Sequence, residues 1–118
     1  MKYNDALKII AYHYGFSSQA DMLCEEAAEF TVALNKLRRG KPEAYNNIKE
    51  ELADVLVIAS QLRILLGPEE IDEIYHEKIK RQLQRIQSED HSFTPNISKP
   101  DKIRIFEEMK EKQKGKQQ

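Results

Sequence analysis

The chain has 118 residues, 19 Lys+Arg against 20 Asp+Glu, and a net charge of −1. That length allows one domain and little more. Near-neutral charge gives no strong nucleic-acid signal, because general binders carry a large basic surplus. A mean hydropathy of −0.71, with no apolar run approaching about 18 residues, excludes a membrane-spanning helix. The opening MKYNDALKII lacks the apolar core and cleavage site of a signal peptide. The single cysteine, Cys24, has no internal disulfide partner. A reducing, cytoplasmic location is therefore the expectation.

Turn residues divide the chain clearly. Gly15 closes a short amphipathic segment, residues 3–14. A long helix is then expected to about Arg39, where Gly40 supplies the stop and Pro42 restarts the chain. A second helix is expected over 42–66, ended by Gly67, and a third from Pro68 to about Gln87. Beyond Ser88 the pattern breaks. Pro95 and Pro100 bracket a polar linker, a short helix is expected over 101–112, and the final GKQQ reads as disordered. The domain is accordingly 1–88, and 89–118 is a linker with a basic tail. No segment alternates with the period of a strand.

Apolar residues recur at spacings of three and four, 4-3-4-3 in the first two series below. They are Leu23, Ala27, Phe30, Leu34 and Leu37; then Ile48, Leu52, Val55, Ala59, Leu62 and Leu66; then Ile71, Tyr75, Ile79, Leu83 and Ile86. Three such stripes on short connections predict an all-α fold, an antiparallel helical bundle of about four helices. Val55-Leu56-Val57-Ile58-Ala59 is apolar nearly all round. Such a segment must be central or covered by another subunit, so a homodimer or homotetramer is expected to complete the core.

Two mid-helix segments share one acidic form, Glu25-Glu26-Ala27-Ala28-Glu29 and Glu50-Glu51-Leu52-Ala53-Asp54. The pattern recurs at Glu69-Glu70-Ile71-Asp72-Glu73 and Glu107-Glu108-Met109-Lys110-Glu111. There a helix start or neighbouring lysines explain it. At about 100° per residue, Glu26 and Glu51 lie roughly 60° from their stripe centres, and Glu29 and Asp54 about 120°. Four carboxylates would then converge on a partly desolvated seam, where they repel unless protonated or bridged by cations. Mg²⁺, with Mn²⁺ as a substitute, is the natural bridge for oxygen ligands. Glu25 and Glu50 point further from the seam. The competing reading makes all these acids solvated flanks of amphipathic helices.

The run from Gln19 through Glu26-x-x-Glu29, followed by Glu51-x-x-Asp54 with 21 residues between Glu29 and Glu51, resembles the all-α NTP pyrophosphohydrolases, the MazG-like family, whose signature is EExxE then ExxD. The resemblance covers about residues 15–87. It implies that Glu26, Glu29, Glu51 and Asp54 bind Mg²⁺ and that one of them acts as catalytic base. It also implies an enzyme that cleaves an NTP or dNTP between the α and β phosphates, giving the monophosphate and pyrophosphate in nucleotide-pool house-cleaning.

Cations must hold the triphosphate. Lys36 follows Glu29 by two helical turns, and Arg39 lies in the next turn. Lys78, Gln82 and Arg85 are similar to a Lys-xxx-Asn-xx-Arg pattern of the family, with Gln in place of Asn. Tyr12, Tyr14 and Phe16 are candidates for base selection. Cys24 is expected to be a small buried residue and His76 a surface one. The alternative function is a non-catalytic dimeric helical interaction module, its second helix being the partner surface.

Overall fold

A computed structural model describes residues 2–92, 94–95 and 102–116. It contains four helices: α1 (Tyr3–Arg38), α2 (Ala44–Leu66), α3 (Pro68–Glu89) and α4 (Lys102–Lys116). The architecture is an all-α helical bundle, with no strand among the described residues. None of the helices is long and apolar enough to cross a membrane.

Glycines set the corners. Gly15 interrupts α1 with φ 83° and ψ 171°, a region essentially restricted to glycine, so residues 3–14 leave at a new angle. Gly40 (φ 78°) ends α1 in a Schellman motif. Its N–H donates to Leu37 O at 2.9 Å, and Lys41 N–H donates to Lys36 O at 3.4 Å. Pro42 and Glu43 form a turn, and α2 begins at Ala44, two residues later than expected. Gly67 (φ 118°) alone separates α2 from α3, whose first residue is Pro68. Across this corner Arg63 Nε and Nη2 donate to the two Asp72 carboxylate oxygens at 2.6 and 2.5 Å. This bidentate pair fixes how α3 departs.

The packed part is the α1–α2 hairpin. Its seam takes Gln19, Leu23, Glu26, Phe30, Ala33 and Leu37 from α1, and Ala44, Ile48, Glu51, Val55, Ile58 and Leu62 from α2, each buried or half-buried. Both series keep the 4-3-4-3 spacing but are rotated from the purely apolar stripes. Ala27, Leu52 and Leu66, expected in the core, are exposed. Ala33 and Ile58, from the shoulder that carries the acids, are buried instead.

Helix α3 packs far less on α2 than α1 does, and the Arg63–Asp72 pair spans their shared corner. Tyr75, Ile79, Leu83 and Ile86, expected to pack, lie exposed. Cys24 is also exposed, which corrects its expected burial. Helix α4 touches the start of α2 through Phe106, whose ring centroid is 6.0 Å from that of Tyr45. It includes Gly115 and Lys116, expected to be disordered, while residues 117–118 and most of the linker lie outside the described residues. The radius of gyration is 18.1 Å, against about 13.5 Å for a compact domain of this length. The accessible surface is 9873 Å², against about 6,600 Å² for a compact monomer of this mass.

Candidate functional site

The α1–α2 seam places glutamates where leucines would ordinarily sit. Glu26 follows Leu23 and precedes Phe30; Glu51 follows Ile48 and precedes Val55. Both are half-buried, and one oxygen of each, Glu26 Oε2 and Glu51 Oε2, is shielded from solvent with no hydrogen-bond partner. Asp54, one turn beyond Glu51 and exposed, joins them. Each of Glu26, Glu51 and Asp54 offers a carboxylate oxygen, and these oxygens lie within 4.8 Å of one another.

The electrostatics follow from this placement. Burial pushes the Glu26 carboxyl above its ordinary value, and Glu29, Asp54 and Glu51 raise it further. Burial likewise raises Glu51, followed by the charges of Glu29 and Asp54. Glu29 is therefore the fourth member by its charge, which raises both glutamates, although the tightest group is the other three.

Two clefts adjoin the acids. One, of about 320 Å³, is lined by Glu29, Glu51, Lys36 and Asn47 together with Val32 and the small residues Ala28 and Ala33. Lys36 thus shares a cleft with two of the acids, Glu29 and Glu51. The other, of about 340 Å³, lies on the side of Glu26 and Asp54. Its walls are Ile10, Tyr14, Met22 and Val57, and it contains the carboxamides of Gln19 and Gln61. Of the three aromatic candidates for base selection, Tyr14 lines this cleft; Tyr12 and Phe16 do not, and stand exposed.

The remaining predicted substrate-binding residues lie elsewhere. Arg39 caps the C-terminus of α1. Lys78 lines a separate groove on α3 with Glu73, Ile74, Glu77 and Arg81. Gln82 and Arg85 are exposed on α3, and no α3 residue lines either cleft beside the acids. His76 is a surface residue, edge-on to Tyr75.

Sequence reasoning gave no role to Gln61 or Asn47, and took Gln19 only as the start of the run that carries the resemblance. The available signal was register: Gln19 precedes Leu23 by four residues and Glu26 by seven, which sets it on the same face as the acid.

Unpartnered buried carboxylate oxygens are costly as free anions. An octahedral Mg²⁺ with bonds of about 2.1 Å holds its ligand oxygens roughly 3–4.2 Å apart. A slight inward movement of these three side chains would meet that geometry, so the donor set fits a hard divalent cation. No family model matches this chain, and neither does any curated protein or solved structure.

Proposed function

We propose that this chain is a Mg²⁺-dependent nucleoside triphosphate pyrophosphohydrolase that converts an NTP or dNTP and water to the monophosphate and pyrophosphate, in house-cleaning of the nucleotide pool. The observation that carries the reading is the pair of unpartnered glutamate oxygens, Glu26 Oε2 and Glu51 Oε2, in a largely apolar seam. Both belong to the motif that resembles the MazG-like signature. Solvated helix flanks would not leave carboxylate oxygens shielded from water.

On this reading Glu26, Glu29, Glu51 and Asp54 hold Mg²⁺, or Mn²⁺ in its place. The bound metal supplies a more acidic water and offsets charge on the phosphate oxygens. One carboxylate of the four takes the water's proton as the α–β bridge breaks. Lys36, in the cleft with Glu29 and Glu51, meets the leaving phosphates, with Arg39 one turn further. Lys78, Gln82 and Arg85 face no acid of their own chain's cluster. Their part in substrate binding rests on the resemblance and on α3 of a second copy. Assays of pyrophosphate release over a panel of canonical and modified NTPs, with and without Mg²⁺, test the proposal. Release of orthophosphate alone would mean β–γ cleavage and would refute it.

The interaction-module reading draws on the exposed apolar stripe of α3 and on Leu56, 57% exposed on α2. It shares the expectation of a homo-oligomer. It gives no reason for Mg²⁺ or Mn²⁺ to raise the melting temperature, whereas ligand at 100 times its Kd adds about 2.7 kcal/mol to a specific site's stability.

A further inference from the structure

Because the α1–α2 seam is rotated toward the acids, the purely apolar stripes form a side of the hairpin that is left open. Leu23, Ala27 and Leu34 of α1 and Leu52, Val55 and Leu56 of α2 lie along it. Ala27 is exposed, Leu52 is 43% and Leu56 57% exposed, and the other three are half-buried. None of the six is charged, in a chain that is 33% charged. The hydroxyls nearby are satisfied by their own helices. Thr31 Oγ1 donates to Ala27 O at 2.9 Å, and Ser60 Oγ donates to Leu56 O at 2.8 Å, so neither needs solvent. Neither cleft beside the acids is lined by any of the six, so this face is separate from the acid site.

One end of the face already accepts a helix. Helix α4 sets Phe106 against Tyr45, and Tyr45 precedes Leu52 by seven residues, so the two share a side of α2. Beyond Tyr45 the face is uncovered, as the exposure of Leu52 and Leu56 records. A matching cover exists in α3, whose Tyr75, Ile79, Leu83 and Ile86 are exposed. Leu23 to Leu34 and Tyr75 to Ile86 are each three helical turns, about 17 Å. The chain's own α3 cannot lie there. Antiparallel helices need a connection of about two to five residues, and Gly67 alone joins α2 to α3. The Arg63–Asp72 pair then holds that corner.

We propose that two copies exchange α3: the apolar stripe of α3 in each copy lies on the open face of the α1–α2 hairpin in the other. Such an exchange is isologous, so the pair makes the same contact twice and closes as a dimer. It covers both unpartnered surfaces at once, whereas α3 packed on α3 would leave the hairpin face bare. An uncharged face receives an apolar helix without desolvating any charge. The contact involves none of the acids, so it stands whatever reaction they serve.

Cys24 supplies the test. It is the single cysteine, it adjoins Leu23 on the open face, and it is exposed in the single chain. Thiol labelling of the full-length protein at micromolar concentration is compared with that of Leu83→Glu. Wild type should label about tenfold or more slowly, with equal helicity of the two by circular dichroism. A second cysteine is then introduced on α3 by Ile79→Cys, Leu83→Cys or Ile86→Cys in turn, and mild oxidation is followed by mass spectrometry. At least one variant should give a covalent dimer joined from Cys24 of one copy to the α3 cysteine of the other, which requires Cα atoms within about 7 Å. The cross-link needs no charged substitution, so it decides the matter even if Leu83→Glu fails to fold. The proposal is overturned if wild type is monomeric or if its Cys24 labels as fast as that of Leu83→Glu. It is equally overturned if the disulfides form within one chain, only between like cysteines, or not at all.

Discussion

On the metal-site reading, Glu26, Glu51 and Asp54 set function against stability. Without metal, desolvation and mutual repulsion act against the fold, so neutralising one should relieve strain. Glu29→Gln, Glu51→Gln and Asp54→Asn are each expected to lower turnover about 100-fold or more, with the metal-free melting temperature equal or higher. Glu70→Gln and Glu108→Gln share the motif but not the seam. Glu70 lies in the first turn of α3, and Glu108 lies 3.9 Å from Arg104. Both should retain activity in the same assays. The pH dependence follows with its sign. Carboxyls raised in the folded state bind more protons folded than unfolded, so stability falls as pH rises from the unfolded value of 4.5 through their folded values. Asp72 is held below its ordinary 3.8 by the hydrogen bond from Arg63, and its contribution is lost only in stronger acid. The metal-free melting temperature should therefore rise on moderate acidification from neutral pH, then fall below about 3.8. Saturating Mg²⁺ should abolish the first limb. Convergence of the acids was legible because their spacing is regular. The depth of Glu26 and Glu51 was not, because apolar periodicity marks only apolar residues. Two stripes about 60° apart share that period, and packing of α1 on α2 chose the one with the glutamates.

The helices themselves were the most legible part of the chain, since Gly15, Gly40, Gly67 and Pro68 stand where the backbone turns. Their φ values are open to glycine at little cost. What was not legible was which helix packs on which. The apolar stripe of α3 reads like the others, yet the Arg63–Asp72 pair and the one-residue corner send it away from α1. The Gly15 break has a consequence for the site. Gly15→Ala meets no clash but must hold a glycine-only conformation, costing about 1–3 kcal/mol. The variant should melt lower or straighten α1. Either way Ile10 and Tyr14 should leave the Gln19 cleft, raising KM for NTP more than it lowers kcat. A circular-dichroism melt with steady-state kinetics checks both effects.

At the scale of the molecule, one chain leaves much of its surface exposed. It exposes roughly 3,000 Å² more than a compact monomer of its mass would, a surplus comparable to what each partner contributes in a large obligate interface. Exposed apolar residues occur on α1, α2 and α3 alike; those on α2 include Leu52, Leu56 and Val57, and those on α3 include Tyr75, Ile79, Leu83 and Ile86. A second copy covering α3 is the expected complement. Light scattering at micromolar concentration should find a dimer or larger species. Leu83→Glu, at a position 50% exposed in the single chain, should shift that species toward monomer without unfolding it. A wild-type monomer would remove the argument for this interface.

The acid seam as a metal site stands beneath each of these readings, and calorimetric titration of Mn²⁺ into the metal-free protein tests it most directly. Wild type should bind the ion with release of protons from Glu26 and Glu51 near their raised titration range. Glu51→Gln should lose that binding while Glu70→Gln keeps it. Wild-type protein that takes up no metal, or Glu51→Gln protein that binds as tightly as wild type, would contradict the account.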